Sequence, residues 1–243
     1  QFTWSTDLTF STYNDRWKER DPNWKPAAYQ KEQDPIRGVF AYVADGLLQP
    51  GEEAPAHQPQ LLPGQVKLKN INGDDKLNEE DMVLIGRNDP KFIFGFNNNF
   101  SYKNFDLNIY MYGQVGKIAG ANSYYDAWGS YGNRIKLGQN VPVSFKDAWS
   151  SDNQTSTRPS FIESAYGTGD LFLQKISFLR IRNITLGYTV PISKSICNRL
   201  RVYADINNPC VWTNWKGQDP ETDSNTNAYP NVTSFSIGVD ISF

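Results

Sequence analysis

Residues Thr233 to Phe243 alternate strictly, with Phe235, Ile237, Val239, Ile241 and Phe243 on one face and Ser234, Ser236, Gly238, Asp240 and Ser242 on the other. A period of two predicts a strand with one apolar and one wet face. Its length fits the roughly 9–11 residues that a tilted strand needs to cross a bilayer. Five more segments carry the same signal. Residues 1–12 set Phe2, Trp4, Leu8 and Phe10 against Thr3, Ser5, Asp7 and Thr9, and residues 91–102 set Phe92, Phe94, Phe96, Phe100 and Tyr102 against Gly95, Asn97, Asn99 and Ser101. Residues 105–115 oppose Phe105, Leu107, Ile109 and Met111 to Asp106, Asn108 and Tyr110. Residues 176–190 carry Ile184, Leu186, Tyr188 and Val190, but Arg180 and Arg182 share their phase, so either a bulge intervenes or the arginines sit above the membrane. Residues 200–213 present Leu200, Val202, Ala204 and Ile206 opposite Arg201, Tyr203, Asp205 and Asn207, and Pro209 marks a bulge or an exit from the ladder.

The connections alternate in length. Only Lys103 and Asn104 separate the second and third candidates, and Pro191 to Arg199 separates the fourth and fifth. Segments 13–90, 116–175 and 214–232 are long and rich in Gly, Pro, Asn, Asp and aromatics. Short periplasmic turns alternating with long extracellular loops are the layout of outer-membrane barrels. The expected fold is therefore all-β, an antiparallel transmembrane β-barrel segment with long extracellular loops. Zero crossings within 13–90 is the simplest arrangement. On that basis Val39 to Leu48 is expected to form an extracellular hairpin with Val66 to Lys69 rather than to fold into the lumen.

Composition modifies this picture little. Mean hydropathy is −0.58 and 39% of residues are apolar, values that a barrel with a polar lumen and polar loops tolerates. Aromatics at 14% suit interface girdles. No run of 18 apolar residues exists, which excludes a spanning helix. A net charge of −2 with dispersed signs gives no footprint for nucleic acid. The chain opens at Gln1 without a leader pattern and reads as a processed or excised C-terminal piece. Cys197 and Cys210 would lie ~40 Å apart on a continuous strand at ~3.3 Å per residue, so two free, buried thiols are expected rather than a disulfide.

Several stretches carry a family resemblance. Val66 to Asp81, then Leu84-Ile-Gly-Arg-Asn-Asp-Pro-Lys-Phe-Ile-Phe-Gly-Phe running on to Leu107, Phe178-Leu-Arg-Ile-Arg-Asn-Ile-Thr-Leu-Gly-Tyr-Thr-Val-Pro191, Leu200-Arg-Val-Tyr, the Asn207-Asn208 pair, Lys216-Gly-Gln-Asp-Pro-Glu221 and the terminal strand resemble the C-terminal region of SusC/RagA-type TonB-dependent outer-membrane transporters. The landmarks span essentially the whole chain. The resemblance implies the last ~6 strands of a roughly 22-stranded barrel in the outer membrane of a Gram-negative bacterium. The plug and the TonB-contacting part would lie outside this chain. It also implies a SusD-like surface lipoprotein as partner, and import of oligosaccharides or peptides.

One constellation has local chemistry. Asn70, Asn72, Asp74, the Lys76 carbonyl, Asn78 and Asp81 occupy the ligand positions of an EF-hand or dockerin-type calcium loop. Asn70 stands where Asp is usual, and Asp75 where Gly normally permits the sharp turn. The same residues also read as a metal-free Asn-Gly-Asp turn held by side-chain to backbone bonds. Loop aromatics Tyr124, Tyr125, Trp128, Tyr131, Trp149, Trp212 and Trp215 are candidates to stack on a sugar or peptide, or else pack loops and girdles. Of these, Tyr124, Tyr125, Trp128 and Trp215 are the named substrate candidates. Phe243 is the expected terminal signal for the outer-membrane assembly machinery.

Catalysis has little support. The single histidine, His57, sits in a Pro-rich loop and reads as a solvated residue, and no nucleophile elbow, zinc spacing or phosphate loop is present. The competing architecture is a soluble β-rich surface glycan-binding module. The two are separated by whether Phe235, Ile237, Val239 and Ile241 face lipid or a second sheet.

Overall fold

The structure is a computed structural model describing residues 1–120, 137–138, 140, 143–161, 164–192, 197–217, 219–222 and 228–243. Its strands are β1 (Phe2–Ser11), β2 (Gly38–Ala41), β3 (Ala44–Leu47), β4 (Val66–Leu68), β5 (Val83–Arg87), β6 (Phe92–Tyr102), β7 (Phe105–Gly120), β8 (Leu173–Val190), β9 (Arg199–Thr213) and β10 (Ser234–Ser242). Six of them form one antiparallel sheet in the order β1-β6-β7-β8-β9-β10. These are the six segments that alternation selects. All the long connections leave one end of the sheet, while the β6–β7 turn and the 191–198 connection close the other. At the tight β6–β7 turn Lys103 takes a left-handed φ of 54°.

Residues directly opposite one another in a ladder share a face, so the register yields two continuous surfaces. One carries Leu8, Phe96, Met111, Ile184, Ile206 and Phe235 with their alternating neighbours. The other carries Asp7, Asn97, Asn108, Thr185, Asp205 and Ser236. Among the described residues nothing covers the apolar surface of β10: Phe235 is 75% exposed, Ile237 82%, Val239 54% and Ile241 54%. Among the described residues no second sheet packs there, and the residues chosen to separate a lipid-facing strand from a sandwich strand are bare.

The phase conflict of Arg180 and Arg182 is resolved by a bulge. Tyr110 pairs with Asn183 but Met111 with Ile181, and on the other side Asn183 pairs with Asn207 while Ile181 pairs with Cys210. Arg182 is skipped on both ladders, which inverts the faces above it, so Phe178 and Arg180 turn inward. Asn208 and Pro209 supply the matching irregularity on β9. There Asn208 takes φ of 50°, a conformation that Asn tolerates better than other residues with a side chain. A second bulge lies at Gly116 (φ 83°), between the pairs Val115–Ser177 and Lys117–Ile176. These phase breaks explain why β7 and β8 extend beyond the 105–115 and 176–190 that unbroken alternation delimits.

The core lies beyond the bulges, at the long-connection end. Ala119 and Ile176 pack with Phe145, Ala148 and Trp215, and Leu47, Val66 and Leu68 form a second cluster. The Val39 to Leu48 stretch is divided. β3 pairs with β4 as expected, but β2 pairs with β5. The two halves of the stretch therefore bind different partners. Cys197 is buried but Cys210, on the apolar face of β9, is only half-buried; both are free.

Candidate functional site: a wet face, a loop anchor and a polar turn

The polar face of the sheet is hydrogen-bonded across its strands. Arg201 on β9 donates to Asp106 on β7 through Nε and Nη2 at 3.0 and 2.6 Å, and to Asp240 on β10 through Nη1 at 3.0 Å. Gly187 lies between them on β8, and a Cβ there would come within 2.4 Å of Arg201 Nη2. The absence of a side chain is what lets the guanidinium cross that strand. Asn108 Nδ2 donates to Asn97 and Asn99, each at 2.7 Å, and the Thr185 hydroxyl lies within hydrogen-bond distance of Asn183 Oδ1 and Asp205 Oδ1. The polar positions that alternation sets opposite the apolar ones, Asn97, Asn99, Asp106, Asn108, Asp205 and Asp240, are thus on one surface. One polar residue is misplaced by pattern alone: Asn98 falls on the apolar face, where its Oδ1 accepts from Thr6 Oγ1 and Trp4 Nε1. Neighbouring donors satisfy it where water is absent.

Above the Arg182 bulge, the inward-turned Arg180 holds down the 214–232 connection. Its Nη2 lies 2.8 Å from both carboxylate oxygens of Asp219, and Nε lies 2.6 Å from Glu221. Arg180 is 2% exposed and Asp219 4%. Asp219 also accepts from the backbone N–H groups of Glu221 and Asn231, and Asn231 donates its amide to Asp219 and Glu221. Burial by itself raises the Asp219 carboxyl. The Glu221 and Asn231 backbone donors and the Arg180 charge outweigh it and hold the group below its ordinary value. Pattern reading does not find this anchor because its members are separated by 39 residues; the only hint is that two arginines break the phase of β8.

The 70–81 segment is a turn that holds itself. Asn70 Oδ1 accepts from Gly73 N, Asn72 Oδ1 from Asp74 N and Asp74 Oδ1 from Lys76 N, at 2.6, 3.1 and 3.0 Å. Asn78 caps a one-turn 3-10 helix (Glu79–Asp81) through Glu80 N, and fully buried Asp81 accepts from Ile71 N and Asn78 N at 2.7 and 3.0 Å. Asp75 adopts φ of 57°, the left-handed conformation for which Gly is the usual residue. The side-chain to backbone bonds expected of a metal-free turn are all present. The donor set nevertheless fits calcium in kind, since two carboxylates, three amide oxygens and a carbonyl supply oxygen ligands at low charge.

Other expected residues fall differently. Tyr124, Tyr125, Trp128 and Tyr131 lie outside the described residues. Trp215 is 6% exposed and packed among Ala119, Phe145, Ala148 and Ile176. Burial removes it from the substrate-stacking set. Trp149 is half-buried and donates to Gln49, while Trp212 projects from the apolar face of β9 at 52% exposure. His57 is not a solvated loop residue: half-buried, it donates from Nε2 to the Leu68 carbonyl at 2.7 Å and ties its loop to β4. Phe243 is exposed just past β10.

No protein-family model matches the chain. TonB-dependent receptor P3 of Formosa agariphila is 26% identical over 278 residues, covering 100% of this chain and 27% of that protein. TonB-dependent receptor SusC of Bacteroides thetaiotaomicron is 26% identical over 180 residues, covering 71% of this chain and 17% of that protein. The solved RagAB peptide transporter superposes with a TM-score of 0.74 at 20% identity, over 100% of this chain and 27% of that one. The chain therefore spans about a quarter of the length of such relatives. They are receptors and transporters, not enzymes, and proteins of this kind reside in the outer membrane of Gram-negative bacteria. Along its whole length the chain is similar in sequence to a TonB-dependent receptor, and over part of it to SusC, and it shares the antiparallel sheet of the RagAB transporter barrel.

Proposed function

We propose that the chain forms the closing strands of a TonB-driven importer of oligosaccharides or peptides that works with a SusD-like lipoprotein. The observation that carries this reading is the pairing of a bare apolar face with a hydrogen-bonded polar face on one sheet. Such a surface is stable where lipid lies on one side and water or a plug on the other. The wet face would hydrate the lumen and contact the plug through Arg201, Asp106 and the Asn cluster. The connections at 12–37, 121–172 and 214–233 would form the outer mouth, with Tyr124, Tyr125 and Trp128 offering rings to the cargo. TonB would engage a part of the receptor beyond this chain. The test is to purify the native gene product from the outer-membrane fraction of its source cells. A product several times heavier than 27.6 kDa, dependent on detergent and folded on an unheated gel, supports the importer. A water-soluble 27.6 kDa monomer returns the soluble glycan-binding module.

The 70–81 turn is proposed to take calcium weakly, in the roughly 10⁻⁴–10⁻³ M range of extracellular modules. Asn70, Asn72, Asp74, the Lys76 carbonyl, Asn78 and Asp81 would be the ligands. Millimolar calcium should raise the melting temperature of the detergent-solubilised receptor, and Asp74→Asn should abolish the rise. An identical melt in calcium and in chelator assigns the turn to its own hydrogen bonds.

A further inference from the structure

The connection between β1 and β2 contains an arginine held in an unusual way. The Arg20 guanidinium carbon sits 4.6 Å from the ring centre of Trp17 and 3.9 Å from that of Trp24, a cation–π contact with each indole. Its Nε is buried and has no hydrogen-bond acceptor among the described residues. Neighbouring arginines have carboxylate partners: Arg37 pairs with Asp89 at 3.0 Å, and Arg87, whose Nε is likewise buried without an acceptor, pairs with Asp15 through Nη2. Cation–π contact with two indoles holds the guanidinium but supplies no oxygen for its edge. A buried donor left without an acceptor is costly, and a ligand that supplies one recovers that cost.

Arg20 borders a cavity of 430 Å³ lined also by Tyr29, Asp34, Phe40 and Met82, within the roughly 300–1,000 Å³ of small-molecule sites. Tyr29 and Phe40 stand 5.0 Å apart and form one aromatic wall. Asp34 is 9% exposed and spends Oδ2 on the Lys31 backbone N–H at 2.6 Å. One cation and one carboxylate in the same cavity discriminate among anions: a dianionic phosphate is repelled by Asp34, whereas a single carboxylate is neutralised by Arg20 in a bidentate pair.

We propose that this cavity binds a small ligand bearing one carboxylate, held at Arg20 beside Trp17 and Trp24, with its apolar body on the Tyr29–Phe40 wall and a hydroxyl or ammonium at Asp34. The carboxylate is shared by a hexuronate and by a dipeptide, and Asp34 separates the two sources, because only the ammonium of the peptide is an ionic partner for it. Binding is measured by calorimetry on the full-length receptor in detergent. No transport, TonB or lipoprotein is needed, so failure here leaves the importer reading untouched.

The probes are glucuronate and alanyl-phenylalanine, each beside its methyl ester. We expect the acid to bind at least tenfold more tightly than its ester. Arg20→Gln should lose at least tenfold, with Arg20→Lys intermediate, and unheated-gel mobility should remain unchanged in both. If the dipeptide is the better probe, Asp34→Asn should weaken it selectively. If glucuronate is better, Asp34→Asn should change it little. Equal binding of acid and ester, no binding of either acid, or full affinity in folded Arg20→Gln would each overturn the site. The comparison of acid with ester needs no variant and so does not depend on one folding.

Discussion

Arg180 illustrates how much one side chain can hold. Replacing it with Met strands the Asp219 carboxylate in a site almost closed to water and leaves the half-buried Glu221 unpaired, and removing one partner of a buried pair costs about 3–5 kcal/mol. Lys67→Met is the control: its partner Glu52 is 38% exposed at the side chain, and pairs of that kind contribute under ~1 kcal/mol. The temperature at which the full-length receptor loses its folded mobility on a gel should drop clearly for Arg180→Met and little for Lys67→Met. The anchor also has a pH sign. Folding lowers the Asp219 pKa, so its stabilisation is complete above the ordinary 3.8 and fades as pH falls through the lower folded value. Limited proteolysis should therefore show the 214–232 connection equally protected at pH 7 and pH 5, with new cuts only in stronger acid.

At the scale of the element, the faces of a strand differ in what they tolerate. Ile109 lies near the middle of the apolar part of β7, opposite Ile184. Ile109→Arg places a charge against lipid at a cost of about 2–4 kcal/mol, whereas an arginine at a lumen-facing position such as Ser5 is solvated. Folded receptor recovered from the outer membrane should fall for Ile109→Arg and hold for Ser5→Arg. Equal yields would contradict the assignment of faces. These faces were legible in the chain because strict alternation is a local signal, and all six long strands follow from it. The upper ends of β7 and β8 were not, since each bulge inverts the phase and a skipped residue such as Arg182 leaves no mark of its own. The same limit applies to the candidate site. The 70–81 turn is written in contiguous Asn and Asp residues, but the Arg180 anchor and the burial of Trp215 arise from contacts between distant segments.

For the whole molecule the decisive fact is that β1 and β10 are both edges of the sheet. Each exposes a row of backbone groups that lipid cannot satisfy, so the sheet needs partner strands on both sides. We propose Phe243, exposed just past β10, as a signal read during assembly. Phe243→Asp should lower the amount of receptor inserted in the outer membrane, read by surface labelling of intact cells. Wild-type insertion would remove Phe243 from the assembly signal.

The bulges at Gly116, Arg182 and Asn208 have a consequence for engineering. All three interrupt neighbouring strands on the side of the long connections, and above them inward-facing residues build a dry core while below them they line water. The strands change trade partway along their length, from staves of a membrane wall to rafters of a soluble cap. A chimera that exchanges caps between two such receptors has its natural seams at those residues, where the host's pleat is already broken and a graft need not match its phase.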